Sequence, residues 1–433
     1  MPDKKFFVEK AKTASIVLLL ISAIFLMFKA VLYEPNSLFG NFRSFFQSSS
    51  DEKANNPANA DEFSCAADPL FILVTTEDGS HCAAKYNIQN KEKMLSQFSA
   101  SLGEALGSSG KPKMITEEEW RFAISKSGVF FDYLYPQQLS EMAIWLGTQV
   151  TGGAENYSTR RIYLGSSGEK LYLYFISAKD NSIYRCETAL NFSSISPKIA
   201  EFPMGNARFA FELNPEYENL DPYFIFSGEN DEIRALNVSN PLRADFSADA
   251  MLSVFGMNSR AAFEYPEGDG SVVYLEGDKS LRIDVSGKVL FSVAGTNGIP
   301  VPSASDVLTI ADCISNASGI VRNTIGKYCG EATTSLIKAS GASYQSSYSL
   351  EFGYFVGGIP ISLPNGAVAA MVQISGGSIV RAELNFREYT YSGELLLPMR
   401  EKQAAAAVRE RGGEPVLQYQ DSASGVSAAW IIK

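Results

Sequence analysis

The stretch Thr13-Ala-Ser-Ile-Val-Leu-Leu-Leu-Ile-Ser-Ala-Ile-Phe-Leu-Met-Phe28 contains no charged residue, no proline and no glycine. Its leucines and isoleucines lie on every side of a helix, whereas an amphipathic helix would have one polar face. Continued to Tyr33, the stretch reaches the roughly 20 residues that a helix needs to cross a bilayer core. Lys29 can extend its ammonium to the headgroups, and Tyr33 suits the interface. The sequence therefore predicts a single transmembrane helix over residues 13–33.

The charges in front of this helix predict its direction. Four lysines precede it, at Lys4, Lys5, Lys10 and Lys12. Because positive charge is retained in the cytoplasm, residues 1–12 are expected to be cytoplasmic and the bulk of the chain extracytoplasmic. A cleaved signal peptide and a buried core helix are the alternatives. Residues 28–33 offer no small-residue cleavage site and the lysines disfavour a buried helix, so an uncleaved anchor in the cell membrane is favoured.

The rest of the chain has the composition of a folded, acidic protein. Of the 433 residues, 45% are hydrophobic and 12% are aromatic, which is enough apolar material for real cores. The formal net charge of −11 argues against nucleic-acid binding, because that affinity comes from lysine and arginine neutralising phosphates. It also argues against an ectodomain lying flat on an anionic membrane. The length predicts two or three domains of about 100–150 residues each.

Hydrophobic periodicity and turn residues predict an α+β fold with about three extracytoplasmic domains, each built from antiparallel sheets and packed helices. A juxtamembrane segment and flexible spacer, residues 34–62, precedes them. The first α+β domain is predicted at 63–203, and the second, with a β-meander, at 204–298. The third, with long antiparallel strands and a C-terminal helix, is predicted at 299–433.

The predicted elements follow from local patterns of apolar residues, caps and turns. In chain order they are a buried strand at 69–75, a helix at 91–106, a helix that starts at the capping box Thr116–Glu119, a strand at 129–135 that ends at Pro136, meanders at 161–186 and 262–293, a helix from about 305, strands at 347–355, 367–374 and 379–391, and a helix at 399–411.

Five cysteines are present, and disulfides are permitted outside the membrane. Their spacing suggests two local pairs, Cys65–Cys82 and Cys313–Cys329, with Cys186 left over. The second pair requires that the two residues do not lie on one straight helix, because that would place them too far apart. Ordinary buried thiols are the alternative.

The sequence offers little catalytic chemistry. His81 is the only histidine, so multi-histidine zinc sites are impossible, although a Ser–His–Asp triad is not formally excluded. Ser-x-x-Lys occurs at Ser167/Lys170 and at Ser335/Lys338, without the further motifs of a penicillin-binding enzyme. We therefore predict no catalytic residue, no metal and no cofactor, and we expect that the protein is not an enzyme.

Several phrases of the sequence resemble a known family. They are Phe131-Asp-Tyr-Leu-Tyr-Pro136, Ala250-Met-Leu-Ser-Val-Phe-Gly256, Tyr265-Pro-Glu-Gly-Asp-Gly-Ser-Val-Val-Tyr-Leu-Glu276 with Leu281-Arg-Ile, and Tyr354-Phe-Val-Gly-Gly-Ile-Pro-Ile361 with Val372 and Ile379-Val380. Together with one N-terminal span and successive α+β units, they resemble the YycH/YycI family of membrane-anchored regulators. The likeness extends over residues 63–411, and the five cysteines depart from the family.

The resemblance implies a non-enzymatic role in cell-wall homeostasis. Members of this family regulate a sensor histidine kinase of a two-component system in Gram-positive bacteria, through transmembrane and extracytoplasmic contacts. The implied partners are that kinase and a second YycH/YycI-like regulator.

Two further features of the sequence bear on contacts. Ser15, Ser22 and Ala23 could form a small-residue face for helix association in the membrane, although a lipid-facing anchor is the simpler interpretation. Strand aromatics at Tyr172, Tyr174 and Tyr184 support an alternative function, a tethered extracytoplasmic binding module for wall polymer or peptide. Such aromatics also occur as plain sheet-packing residues.

Overall fold

A computed structural model describes residues 69–202, 205–213, 215–228, 233–242, 248–295, 298–303, 308–342 and 347–433. The predicted anchor at 13–33, its contact residues Ser15, Ser22 and Ala23, the spacer at 34–62 and Cys65 lie outside the described residues. Within the described part of the chain, no helix has both the length and the apolar character to cross a membrane.

The first sheet is built from seven strands. They are β1 (Pro69–Thr75), β2 (His81–Ala84), β3 (Lys113–Ile115), β4 (Gly128–Gln138), β5 (Ser158–Ser167), β6 (Lys170–Ser177) and β7 (Ile183–Asn191), in the spatial order β2-β1-β4-β5-β6-β7-β3. All residues of β1 are buried, because β1 lies between β2 and β4 and is covered on both faces. The buried strand and the first meander, both predicted from sequence, are thus confirmed.

β4 continues past the proline that was predicted to end it. The pairing of β4 with β5 is interrupted between Asp132 and Gln137, and Pro136 lies in that gap. Since proline has no N–H to donate to a ladder, an irregularity of this kind lets the strand continue.

Seven α-helices are present in the described residues. They are α1 (Ile88–Gly107), α2 (Glu117–Ile124), α3 (Leu139–Trp145), α4 (Ser196–Ile199), α5 (Ala248–Val254), α6 (Ile310–Asn323) and α7 (Glu401–Val408). The capping box predicted for α2 is formed, with Thr116 and Glu119 bonding each other's backbone. α6 starts at a second capping box, in which Thr309 accepts from the backbone of Asp312.

The remaining strands build one large sheet and two short pairs. They are β8 (Arg208–Phe209), β9 (Ile225–Phe226), β10 (Ile233–Ser239), β11 (Phe263–Pro266), β12 (Val272–Glu276), β13 (Lys279–Ile283), β14 (Lys288–Val293), β15 (Ile299–Pro300), β16 (Thr333–Ala342), β17 (Ser347–Val356), β18 (Ile359–Ser362), β19 (Ala370–Ser375), β20 (Ser378–Asn385), β21 (Glu388–Leu396), β22 (Pro415–Ser422) and β23 (Gly425–Ile432). β8 pairs with β9, and β10 pairs with β21.

The large sheet has twelve strands, in the order β11-β12-β13-β14-β20-β19-β17-β18-β22-β23, with β15 beside β20 and β16 beside β17. The predicted strand at 379–391 is wrong as one element, because the chain leaves this sheet after β20 and pairs with β10 as β21.

The predicted boundary between residues 298 and 299 falls inside this sheet. β14, from the predicted second domain, pairs over its length with β20, from the predicted third. The two regions therefore share one sheet and do not form two separately built domains. The described residues all belong to one compact unit.

Three hydrophobic clusters hold the two sheets. The largest fills the space between the twelve-stranded sheet and α5 and α6, and the other two cover opposite faces of the first sheet. The cluster that contains Trp120 of α2 and Phe130 of β4 also includes Val416 of β22, with Phe355 and Ile431 packed against it. The two sheets are therefore joined by shared apolar packing.

The predicted Cys313–Cys329 disulfide is not formed. Both residues are buried free thiols, and the Sγ of Cys329 lies 2.8 Å from the backbone oxygen of Ala332. Cys313 lies in the first turns of α6 and Cys329 beyond its end, so about 15 Å of helix separates them. Burial raises the pKa of Cys313 to about 12 and that of Cys329 to about 11. Cys82 is buried in β2, and its predicted pairing with Cys65 stays a prediction.

Candidate functional site

His81 lies in a chain of three polar side chains that is superficially like a catalytic triad. Its Nδ1 is 3.0 Å from the Oγ1 of Thr75, and its Nε2 is 2.9 Å from the Oε1 of Glu212. Thr75 is 0% exposed, and its hydroxyl donates to the backbone oxygen of Ile124 at 3.2 Å. In a working triad the nucleophile would be reachable and would donate its proton to the histidine. The first condition is not met here, because Thr75 is fully buried.

His81 instead connects the segment after residue 205 to β2 through hydrogen bonds and ring packing. The backbone of His81 bonds that of Ala207, and its ring meets Phe209 edge-on at 5.1 Å between centroids. Glu212 also accepts from the backbone N–H of Phe209 at 3.0 Å. Burial opposes ionisation of this carboxyl, but the bonds from His81 and Phe209 outweigh it, so the pKa of Glu212 is lowered.

The two Ser-x-x-Lys sequences lie on strands and not on a helix. Ser167 and Lys170 pair across the β5–β6 turn. Ser335 is buried in β16, beyond a register irregularity from Lys338, whose ammonium bonds Glu351 at 3.1 Å. Neither serine has a lysine placed to take its proton.

A buried ion network joins the first sheet to residues near β22. The Nε of Arg160 is 2.5 Å from Asp132, and its two terminal nitrogens bind Glu414 at 2.5 and 2.7 Å. Arg161 binds Asp132 at 2.9 Å and Asp221 at 2.9 Å. Burial would raise the pKa of Glu414, but the bidentate bond and charge of Arg160, with Arg161, lower it to about 2. Every charged group in this network has an oppositely charged partner, as expected for ion pairs that stabilise the fold.

A second buried pair fixes α7. The ammonium of Lys85 lies 2.7 Å from Glu401, the first residue of α7, and donates to the backbone oxygen of Ile225 at 3.1 Å. It also lies 4.2 Å from the ring centroid of Phe224. The other oxygen of Glu401 accepts from the backbone of Ser227 at 2.8 Å. Among the described residues, no three His, Cys, Asp or Glu side chains are grouped to hold a metal.

The most exposed apolar strand in the twelve-stranded sheet is β11, at the end of the sheet. Phe263 is 80% exposed, Tyr265 62% and Leu275, opposite Phe263 on β12, 46%. Because strand side chains alternate, these three lie on one face. We call the free side of β11 and these three side chains the β11 edge.

The backbone of the β11 edge is available for pairing. Glu267 donates to the oxygen of Ser271 at 2.7 Å, which fixes the alternation of the β11–β12 ladder. By that alternation Phe263 and Tyr265 bond toward β12, whereas the N–H and C=O of Glu264 point away from the sheet. Nearby, Arg282 binds Glu267 at 2.9 Å and Asp269 at 2.6 Å, so Glu264 is left as an unneutralised charge on the strand.

Sequence reasoning placed this strand in a meander but did not identify it as an edge. The available signals were Pro266 at its end and the alternation of Phe263, Glu264 and Tyr265, which suit an edge strand. The aromatics proposed for ligand binding lie elsewhere and are packed. Tyr174 and Tyr184 are buried, and the ring of Tyr172 is covered by Arg185 at 5.1 Å.

The fold has a counterpart among solved structures. The crystal structure of YycH from Bacillus subtilis matches with a TM-score of 0.50 at 12% identity, covering 89% of this chain and 97% of that chain. No family model matches the chain, and no curated protein matches its sequence. At this identity the match demonstrates a shared fold, in agreement with the resemblance seen in the sequence.

Proposed function

We propose that this protein is a non-enzymatic, membrane-tethered regulator of a sensor histidine kinase in a two-component system linked to cell-wall homeostasis. The observation that carries the proposal is the fold shared with YycH over nearly the whole length of both chains. The apolar stretch at 13–33 supports a tether, with residues 1–12 cytoplasmic and the described unit outside. The polar clusters around His81 and Arg160 support a structural body, because their members bond one another.

The β11 edge is our candidate for the extracytoplasmic contact. An extended segment of the kinase could add to it as a further strand, with main-chain bonds to Glu264 and apolar side chains over Phe263 and Tyr265. A second copy of this chain fits less well, because an antiparallel pair centred on Glu264 would place two like charges opposite each other. We therefore expect a segment that alternates apolar with basic residues. Binding would bias the kinase by favouring one of its two conformers.

Site-specific crosslinking in native membranes tests this function. A photoreactive phenylalanine analogue at position 263 of the full chain should capture a histidine kinase, identified by mass spectrometry. The matched control is the same analogue at Phe122, which is 65% exposed on α2 in the first-sheet region. Capture of the kinase at neither position, in cells that express it, would refute the proposed partner. Equal capture at both would refute the β11 edge as the contact.

A further inference from the structure

A pocket of about 170 Å³ lies between the first sheet and the twelve-stranded sheet. Leu134 and Tyr135 of β4 form one wall, and Ile337 of β16 with Phe355 of β17 form another. The turn at 364–366 and the residues after it close a third side. Nothing in the His81 or Arg160 clusters lines it, so this pocket is separate from the polar groups described above.

Small residues in the walls keep the pocket open. Gly353 lines the pocket, and a Cβ there would come within 3.0 Å of Ile337. Ala367 and Ala369 line the opposite side with small side chains. Pockets for drug-sized ligands are about 300–1,000 Å³, so this one suits a single amino-acid side chain with its adjoining backbone.

Gln418 is the buried polar side chain of the lining, which also includes Ser362 and Tyr135. It lies in β22, where Leu417 and Tyr419 face the large core and Gln418 faces the opposite way, toward the first sheet. It is 7% exposed, its side-chain amide has no hydrogen-bond partner among the described residues, and both polar atoms of that amide remain open to solvent. An amide that opens into a pocket and makes no bond within the protein is free to pair with a bound group that offers both a donor and an acceptor.

The charged groups near the rim of the pocket each have a partner within the protein. The ring of Tyr135 is held by the ammonium of Lys433, 4.1 Å from its centroid, and the charges nearest its hydroxyl belong to the Lys338–Glu351 pair. That pair is already neutralised at 3.1 Å. No charged side chain lines the pocket itself, which disfavours a charged ligand.

We propose that this pocket binds one residue of a peptide, with an aliphatic side chain between Phe355 and Leu134 and a peptide group paired with the Gln418 amide. A carboxamide and a peptide group each offer one donor and one acceptor in a plane, so they can form two reciprocal hydrogen bonds. The inference concerns a different surface from the β11 edge and stands without the kinase assignment.

The test uses the full-length chain and N-acetyl-L-leucinamide, which carries one aliphatic side chain and two amide groups. Ligand-observed saturation-transfer NMR detects the weak affinity expected for so small a ligand, on the order of 1 mM. N-acetylglycinamide, which lacks the side chain, controls for amide binding alone. We expect saturation of the leucine methyl signals with the wild-type chain and little signal from the glycine compound.

Three variants locate the binding. Gln418→Met keeps the size of the side chain, and it should lower affinity at least fivefold without lowering the unfolding temperature, since the amide makes no hydrogen bond within the described protein. Ala367→Phe, at an exposed position on the lining, should block entry and remains informative if Gln418→Met folds poorly. Gln420→Met, two residues along β22 and exposed, is the matched control and should bind as the wild type does.

Three outcomes would overturn the proposal. Absence of saturation transfer with the wild-type chain at concentrations well above the expected dissociation constant would show that the pocket takes no such ligand. Wild-type affinity in Gln418→Met would show that the Gln418 amide does not bind the ligand. Wild-type affinity in Ala367→Phe would show that the ligand binds elsewhere.

Discussion

Glu141 is a carboxyl in the first turn of α3 that is only 2% exposed. Among the described residues no cation forms an ion pair with it, and its residual stabilisation comes from a backbone bond with Gln138. Burial therefore dominates and raises its pKa from 4.5 to about 7. The native state holds this proton over a pH range in which the unfolded chain releases it.

Because of the raised pKa of Glu141, we expect the free energy of unfolding to fall as the pH rises. The folded pKa lies above the unfolded value, so the stabilisation is complete below about pH 4.5 and is lost progressively as the pH rises to about 7. Relative to Glu141→Gln, the wild type should lose roughly 2–3 kcal/mol of unfolding free energy between pH 5 and pH 8. Urea unfolding of both proteins at the two pH values measures it. Glu104→Gln, on an exposed part of α1, controls for loss of a carboxylate, and a constant difference between wild type and Glu141→Gln would contradict the prediction.

For Glu414 we expect the opposite dependence of the free energy of unfolding on pH. Its pKa is lowered to about 2, so its stabilisation is present above about pH 4.5 and disappears as the pH falls through about 2. At neutral pH, Glu414→Gln leaves Arg160 and Arg161 with too little compensating charge. We expect a loss of about 3–5 kcal/mol, measured by urea unfolding.

The matched control for this change is an ion pair on the surface. Glu187 pairs with Lys113 at 3.3 Å, and both side chains are exposed. Glu187→Gln should cost no more than about 1 kcal/mol. Equal losses in the two variants would show that the Arg160 network contributes no more than a surface pair.

Residue-scale contacts were the least predictable from sequence. His81 could be singled out as the only histidine, but Glu212 is 131 positions away and no spacing links them. The same holds for Gln418, which looks like any strand glutamine until the opposing wall of the pocket is known. Burial and partners at this scale come from long-range packing, and a single sequence does not encode them locally.

At the scale of elements, short-range signals predicted well. The capping box of α2, the apolar run of β1 and the turn residues of the two meanders each act within a few positions, and each produced the expected element. The failures were at β20–β21 and β4, where pairing with a distant strand decides the element's end. Sheet order was not predictable, because β14 could equally have been an edge.

The β11 edge predicts a variant that separates binding from folding. Phe263→Ser changes a side chain that is 80% exposed, so it should shift the free energy of unfolding by less than about 0.5 kcal/mol. Co-isolation of the kinase from membranes should fall severalfold. Phe122→Ser on α2 is the control and should leave co-isolation unchanged. A variant at 263 that unfolds, or that recovers the kinase fully, would contradict this role.

The predicted anchor yields a direct measurement. Sequencing of the mature protein from membranes should find its N-terminus before residue 13, because residues 28–33 provide no cleavage site. A mature N-terminus beyond residue 30 would rule out the tether. If the tether is retained, Ser22→Leu tests the small-residue face and should weaken kinase association, whereas Leu19→Ile, at a large residue, should not.

At the scale of the whole molecule, three predicted domains became one unit. The sequence shows composition breaks near residue 298 but cannot show that β14 pairs with β20 across that break. Packing of Val416 into the cluster around Trp120 then joins the first sheet as well. The α+β class was predictable from local patterns, whereas the number of separately folding parts depended on these two long-range contacts.

Shared packing predicts a cooperative transition. Phe291 of β14 is fully buried and stacks on Phe255 at 4.6 Å between centroids, so Phe291→Ala should cost about 3–5 kcal/mol. If the unit unfolds cooperatively, native-state hydrogen exchange should show that the variant lowers the free energy of opening by the same amount for the amides of β1 as for those of β14. Unchanged protection of β1 would mean that the first sheet unfolds independently. Phe122→Ala, at an exposed side chain, should leave both strands unaffected.

The interior thiols have a practical consequence. Cys186, Cys313 and Cys329 are buried and held protonated at neutral pH by their raised pKa values. An alkylating reagent can therefore reach them only when the surrounding structure opens. The rate of their modification therefore measures local opening of the native protein at three places: in the first sheet at Cys186, within α6 at Cys313 and just after that helix at Cys329.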